Sequence, residues 1–332
     1  VLFSKASGLN DSIYGKSQDP IKMMLEQLEE AWQKQSIIPE VFYMDKTTNY
    51  AEKYGYETSL GNFEPTGEGG KYPETTWQEG YSKTIEPDTW KNSFVVTQEM
   101  VEDAKMGKVK SKGNAFMLSY NRTRELFGVA FLNNGNATTM SFGGKTFTIS
   151  AADGQALFST AHPSKTGGTG NQSNLYNAVM SYDTLCYAEE KGHYLTDDDG
   201  NILTVSYDTI LIPDKATTKK LVFDAIGCDG QPGTADNSYN FQFGRWNVVI
   251  SPYLTNWTGT SGGDMVYLLD SKYNDAYECM PWLDRIPLSV KSYVDENTDN
   301  NVFKGRARYG AAPNNWRHIM AIAPGLSGGS TF

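Results

Sequence analysis

Cysteine is scarce in this chain: three in 332 residues, with Cys186, Cys228 and Cys279 far apart. Disulfide frameworks and structural zinc sites need cysteines in pairs, for zinc at short spacing, so neither organises the fold. The three read as small buried apolar residues in a reducing compartment. Long apolar runs are missing too. The stretch Leu126 to Leu132 is broken by Gly128 and falls far short of the roughly 20 residues a membrane span needs. No cationic-then-apolar leader opens the chain. Without one, the sequons at Asn121, Asn136, Asn171 and Asn256 carry little meaning. Positive charge is in deficit as well, with 29 Lys and Arg against 39 Asp and Glu and a net charge of −10. Sequence-independent DNA binding relies on clustered cations. An acidic chain can still enclose nucleic acid, because a repulsive wall does not trap it.

Catalytic signatures are equally sparse. His162, His193 and His318 are the three histidines. None sits in an HExxH or HxH spacing, and they read as turn or surface residues. Ser159-Thr160-Ala161-His162 lacks the glycines of a nucleophile elbow. The run Asp197-Asp198-Asp199-Gly200-Asn201 invites a calcium loop, but Ile202 falls where that loop needs Gly and Asp208 where it needs Glu. A hairpin turn explains the run. No phosphate loop is present. No catalytic, cofactor or metal site is therefore expected.

The chain length allows one large domain or two moderate ones. Residues 1–18 read as an extended polar arm. Asp19-Pro20 opens an amphipathic helix over 20–36 with Ile21, Met24, Leu25, Leu28 and Trp32 on one face, and Pro39 ends it. Residues 40–95 predict a long β-hairpin with flanks near 41–60 and 75–96 and a turn-rich tip at Pro65 to Pro73. A lone ribbon is marginal in water, so it should lie on something. A helix starts at Thr97, breaks near Gly107 and resumes over Val109 to Leu132. Residues 138–160 read as β with a turn at Gly143-Gly144, and His162 to Asn174 as a loop. Ser181 caps a helix to Lys191. Thr209 to Pro213 is a short buried strand, and Asp214 caps a helix to Ile226. Strands follow at 245–252, 264–270, 286–294, 302–309 and 316–323. The tail from Pro324 to Phe332 reads as loose.

One charge asymmetry stands out. From Glu57 to Asp88 the hairpin carries Glu57, Glu64, Glu68, Glu74, Glu79, Glu86 and Asp88 against Lys71 and Lys83. Lys105, Lys108, Lys110 and Lys112 follow within eight residues. Two solvated surfaces are the plain reading. The sharper one places the acidic ribbon of one copy on the basic segment of its neighbour.

The order of elements (arm, helix, hairpin, long helix, mixed region, late strands) resembles the tailed-bacteriophage major capsid protein of HK-ninety-seven type, and Mu-type head subunits in particular. Five segments carry the resemblance: Trp77-Gln78-Glu79-Gly80, Trp90 to Asp103, Ala156 to Pro163 with Asn174-Leu175, Leu211-Ile212-Pro213, and Arg306 to Gly310 with Asn315-Trp316-Arg317. It implies an α+β fold with an arm at 1–40, an extended loop at 41–95, a peripheral domain at 96–174 with a spine helix, an axial domain at 175–300, and peripheral strands and tail at 301–332. It further implies hexamers and pentamers in an icosahedral virion shell, assembled in the host bacterial cytoplasm and enclosing double-stranded DNA without sequence-specific binding or membrane contact. Portal, scaffolding, prohead protease and decoration proteins are the implied partners. Some relatives crosslink a loop lysine to an asparagine, and Lys71 and Lys83 are the loop lysines here. Two alternatives share some of these features: an encapsulin-like compartment, and an aromatic-rich glycan-binding protein or hydrolase.

Overall fold

The computed structural model describes residues 36–57, 63–72, 74, 79–102, 106–167, 170–228, 230, 239–255, 257, 265–326 and 329–332. The expected helix at 20–36 lies almost wholly outside them. Ile38–Val41 forms a single turn, α1, with Pro39 in its first turn. Proline there lacks only an N–H that the helix start leaves unused, so Pro39 suits the opening turn of α1.

Among the described residues, two sheets and two small hairpins follow. The first sheet has the order β1-β11-β12-β4, from Tyr43–Lys46, Pro281–Asp295, Asn300–Ala311 and Asp88–Val96. The second has the order β7-β13-β10-β8-β9, from Leu175–Tyr176, Ile319–Ile322, Val266–Leu269, Thr209–Pro213 and Asn247–Ser251. Strands β2 (Glu52–Glu57) and β3 (Glu79–Ile85) make one hairpin, and β5 (Thr139–Phe142) and β6 (Lys145–Thr148) the other. The β5–β6 turn is the expected Gly143-Gly144, both at positive φ, as a two-residue hairpin turn requires.

The long ribbon is corrected. Its expected second flank is split: β3 pairs with β2, while β4 pairs with β12 inside the same chain. The partner expected from a neighbour is thus partly supplied at home. The sheets also cross the expected boundary at residue 300. Strand β11 joins β12 and β4, while β13 joins the sheet of β8 and β10.

Helix α2 (Gln98–Glu102) leads into the 28-residue α3 (Met106–Asn133), which contains Gly107. Val109, Phe116, Phe127 and Phe131 are buried on it, at spacings of 7, 11 and 4, the periodicity of one helix face. That face lies on the first sheet, where Phe94 stacks on Phe303 and meets Phe116. Gly305 permits the close approach: a Cβ there would sit 2.5 Å from the Phe116 ring. Along β12, Asn301, Phe303, Gly305, Ala307 and Tyr309 are buried and alternate with the other face, the period-2 signature of a sheet covered on one side.

Strands β8, β10 and β13 are buried at every position. Helices α4 (Tyr182–His193) and α5 (Ala216–Ile226) accompany them. Ser181 caps α4 as expected, its hydroxyl accepting from the Thr184 N–H. Lys215, not Asp214, takes the cap position of α5, and Asp214 instead pairs with Lys219. Helix α6 (Ser271–Tyr277), capped by Asp270, escaped the sequence reading. The tail is docked: Phe332 stacks on Tyr176 at 4.4 Å. Of the cysteines only Cys279 is buried, and Cys228 is exposed.

Candidate assembly surfaces

The β2–β3 hairpin is anchored at its root. Tyr54 and Ile85 pack with Leu283 and Ala312. Beside them, a buried polar network ties the hairpin to three distant segments. Arg317, 2% exposed, donates to Asp198 Oδ1 at 2.9 Å and to the Thr196 carbonyl at 3.0 Å. Its guanidinium lies over Trp316 and over Tyr56 of β2. Burial pushes the Tyr56 hydroxyl well above its ordinary pKa, against the opposing pull of Arg317. Ser164 and Thr166 donate to the Asp198 carbonyl, and Lys165 Nζ donates to the Glu79 and Gly80 carbonyls of β3.

His162 completes the network. Its ring stacks on Trp316 at 4.1 Å, Nδ1 lies 2.6 Å from Asp153 Oδ2, and Nε2 lies 3.1 Å from Asn174 Oδ1. Asn174 also donates to the Leu157 and Ile319 carbonyls. His162 and His318 are both buried, which corrects the expectation of surface histidines. Burial lowers His318 to about 4. Asp197 and Asp198 are buried too, so the acidic run is a hairpin turn that also supplies the counter-charge for Arg317. The segments at 156–163, 174–175 and 315–317 that carry the sequence resemblance therefore meet in one place. No group of acidic, His and Cys side chains suited to a metal occurs among the described residues.

The predicted interface residues divide into engaged and free. Lys83 Nζ donates to the Ser150 carbonyl at 2.9 Å and its hydroxyl at 3.1 Å, and burial lowers its pKa. It is bound to its own chain. Lys112 donates to the Val95 carbonyl at 2.7 Å. Lys105 lies outside the described residues. Glu64, Glu68, Lys71, Glu74, Glu79, Lys108 and Lys110 are exposed. Phe63 and Tyr72, at 105% and 91% exposure, flank the acidic tip.

A second cationic surface escaped the sequence reading. On the side of the first sheet away from α3, β12 presents Lys304 and Arg306, β4 presents Lys91, and β11 presents Lys291, all exposed. Pairing sets Lys91 opposite Arg306 and Lys291 opposite Lys304. The signal was the alternation of cations along β12 and the end of β11, but Lys91 of β4 lies some two hundred residues away in sequence.

The sequence profile described as phage capsid protein matches residues 80–322, well over half of the chain. The chain belongs to the phage capsid protein family. As a capsid protein it is a structural component of the virion, not an enzyme, and it associates with further copies of itself. No curated protein matches it closely. A solved structure from Mycobacterium phage Patience is 11% identical with a TM-score of 0.53, covering 99% of this chain and 92% of that one. The capsid of cyanophage P-SCSP1u is 9% identical with a TM-score of 0.50, covering 86% and 87%. A structure from Microbacterium phage Oxtober96 is 11% identical with a TM-score of 0.50, covering 87% and 91%. These likenesses speak to the fold, which is the mixed α+β architecture of HK-ninety-seven-type capsid proteins.

Proposed function

We propose that the capsid protein closes an icosahedral shell from hexamers and pentamers around double-stranded DNA, each acidic hairpin lying on a cationic surface of the next copy. The observation that carries this reading is the contrast within the hairpin. Its root is fixed by the Arg317 network of its own chain, while Phe63, Tyr72 and the acidic tip are exposed. Obligate interfaces of this kind bury on the order of 2,000–5,000 Å², and heterologous contacts close rings. The receiving surface belongs to the layer of α3 and the first sheet, where described cations lie at the start of α3, as the sequence suggests, and on the open sheet face.

Portal, scaffolding, prohead protease and decoration proteins are the further partners of this reading. Kinship with Mu-type head subunits is supported by the segments that meet around Arg317. The division into arm, extended loop, peripheral and axial domains is kept, with β11 reassigned to the peripheral unit and β13 to the axial one. Light scattering with negative-stain electron microscopy tests the reading. Closed particles or rings of five or six, with DNA inside mature shells, are expected. A persistent monomer in the presence of the other head proteins would overturn it.

A further inference from the structure

We infer that the cavity between α3 and the first sheet is a binding site for a small neutral molecule built on one aromatic ring with an oxygen acceptor. The cavity measures about 120 Å³. From α3 it is lined by Phe116, Ser119, Tyr120 and Thr123, the i, i+3, i+4, i+7 spacing of one helix face. From the sheet it is lined by Trp90, Leu288, Gly305 and Tyr309. Its origin lies in side-chain size. Large rings alternate with Ser119, Thr123 and Gly305, whose side chains are too short to fill the space between them. Gly305 cannot be larger, because a Cβ there would sit 2.5 Å from the Phe116 ring and 3.2 Å from Leu288.

Size and lining define the ligand. An apolar cavity of about 150 Å³ takes up benzene, so a single ring is the group this space accepts. Four of the lining side chains are aromatic, and rings make favourable edge and offset contacts with another ring. Two lining polar groups are already engaged. The Trp90 indole N–H donates to the Tyr309 carbonyl, and the Thr123 hydroxyl donates to the Ser119 carbonyl.

The Tyr309 hydroxyl is different. Tyr309 is 1% exposed, and its hydroxyl has no hydrogen-bond partner among the described residues. Burial pushes this hydroxyl well above its ordinary pKa, so it stays protonated and can donate. A buried hydroxyl left unpaired costs stability, and a ligand oxygen that reaches it removes that cost. The Arg124 guanidinium lies over the Tyr309 ring at 5.5 Å, which disfavours a cationic ligand. The aromatic lining disfavours a carboxylate, which would lose its hydration. Asn92, exposed at the edge of the cavity, marks the mouth.

The test uses phenol, with toluene as a ring of the same size without the oxygen. Saturation-transfer NMR on the unassembled full chain should show saturable binding of both. At ten times its Kd, phenol should raise the melting temperature by about 2 °C. Tyr309→Phe removes an unpaired hydroxyl and should fold as well as the unaltered protein. It should weaken phenol at least fivefold and leave toluene unchanged. Ser119→Leu fills the cavity with a good helix former and should abolish binding of both probes while circular dichroism is retained. No saturable binding of either probe would overturn the inference and leave a hydrated cavity only. Binding that survives Ser119→Leu would overturn it too, as would phenol affinity that Tyr309→Phe does not lower. Binding by the subunit that disappears in assembled shells would also overturn it, in favour of a side chain from a neighbouring copy.

Discussion

The two sheets differ in how far they are finished. In the second, β8, β10 and β13 are buried at every residue. In the first, α3 covers one face and leaves the other exposed and cationic. The three middle strands of the second sheet, β13, β10 and β8, are the inner support of the subunit. The half-finished first sheet makes sense in a protein whose function begins when copies meet. Substitutions should therefore act on folding in one sheet and on assembly in the other.

The largest effect is expected at the network that holds the hairpin root. Arg317→Ala leaves Asp198 buried and unpaired, which costs about 3–5 kcal/mol. A thermal melt of the unassembled subunit should show the largest drop of any variant here. Leu268→Ala in β10, where Leu268 is fully buried, should cost about 2–5 kcal/mol. Lys291→Ala on the open face should stay within about 0.5 kcal/mol. Equal losses from the last two would erase the contrast between the sheets.

Acid should act on the finished side. His318 donates from Nδ1 to the Asn315 carbonyl at 2.8 Å, and Nε2 has no partner among the described residues. Burial holds its pKa near 4 against an ordinary 6.5. Between those values the unfolded chain takes up a proton that the folded chain refuses, so stability falls as pH falls through that window. The full shift corresponds to roughly 3 kcal/mol. His318→Asn keeps a donor in place and should flatten this part of the stability–pH curve. An unchanged slope would remove His318 from the account.

The smallest effect has the most telling sign. Lys304→Glu turns a repulsive pair with Lys291 into an attractive one and should stabilise the isolated subunit by about 0.2–1 kcal/mol while weakening assembly. A surface kept for stability alone would not show that opposition.

Much of this was legible in the sequence, for local reasons. The span of α3, the β8 run, the Ser181 cap and the Gly143-Gly144 turn all follow from patterns a few residues wide. Sheet membership was not, because β4 pairs with β12 across about two hundred residues. Distance also hid the partner of Asp198, which reads as a hairpin-turn residue in the sequence, with Arg317 standing 119 positions further on. Pro39, expected to end one helix, stands in the opening turn of another, because a proline opens a helix as readily as it follows one. The acidic hairpin was visible as a charge imbalance. Its cationic counterpart was not, because Lys91, Lys291, Lys304 and Arg306 gather only when the sheet forms.

The most direct measurement is a cryo-electron microscopy reconstruction of the assembled particle, at a resolution that traces neighbouring chains. The account predicts a neighbour's hairpin seated on the layer of α3 and the first sheet, with Glu64, Glu68 or Glu74 within ion-pair distance of its cations. That layer open to solvent, with the hairpin resting elsewhere, would contradict it.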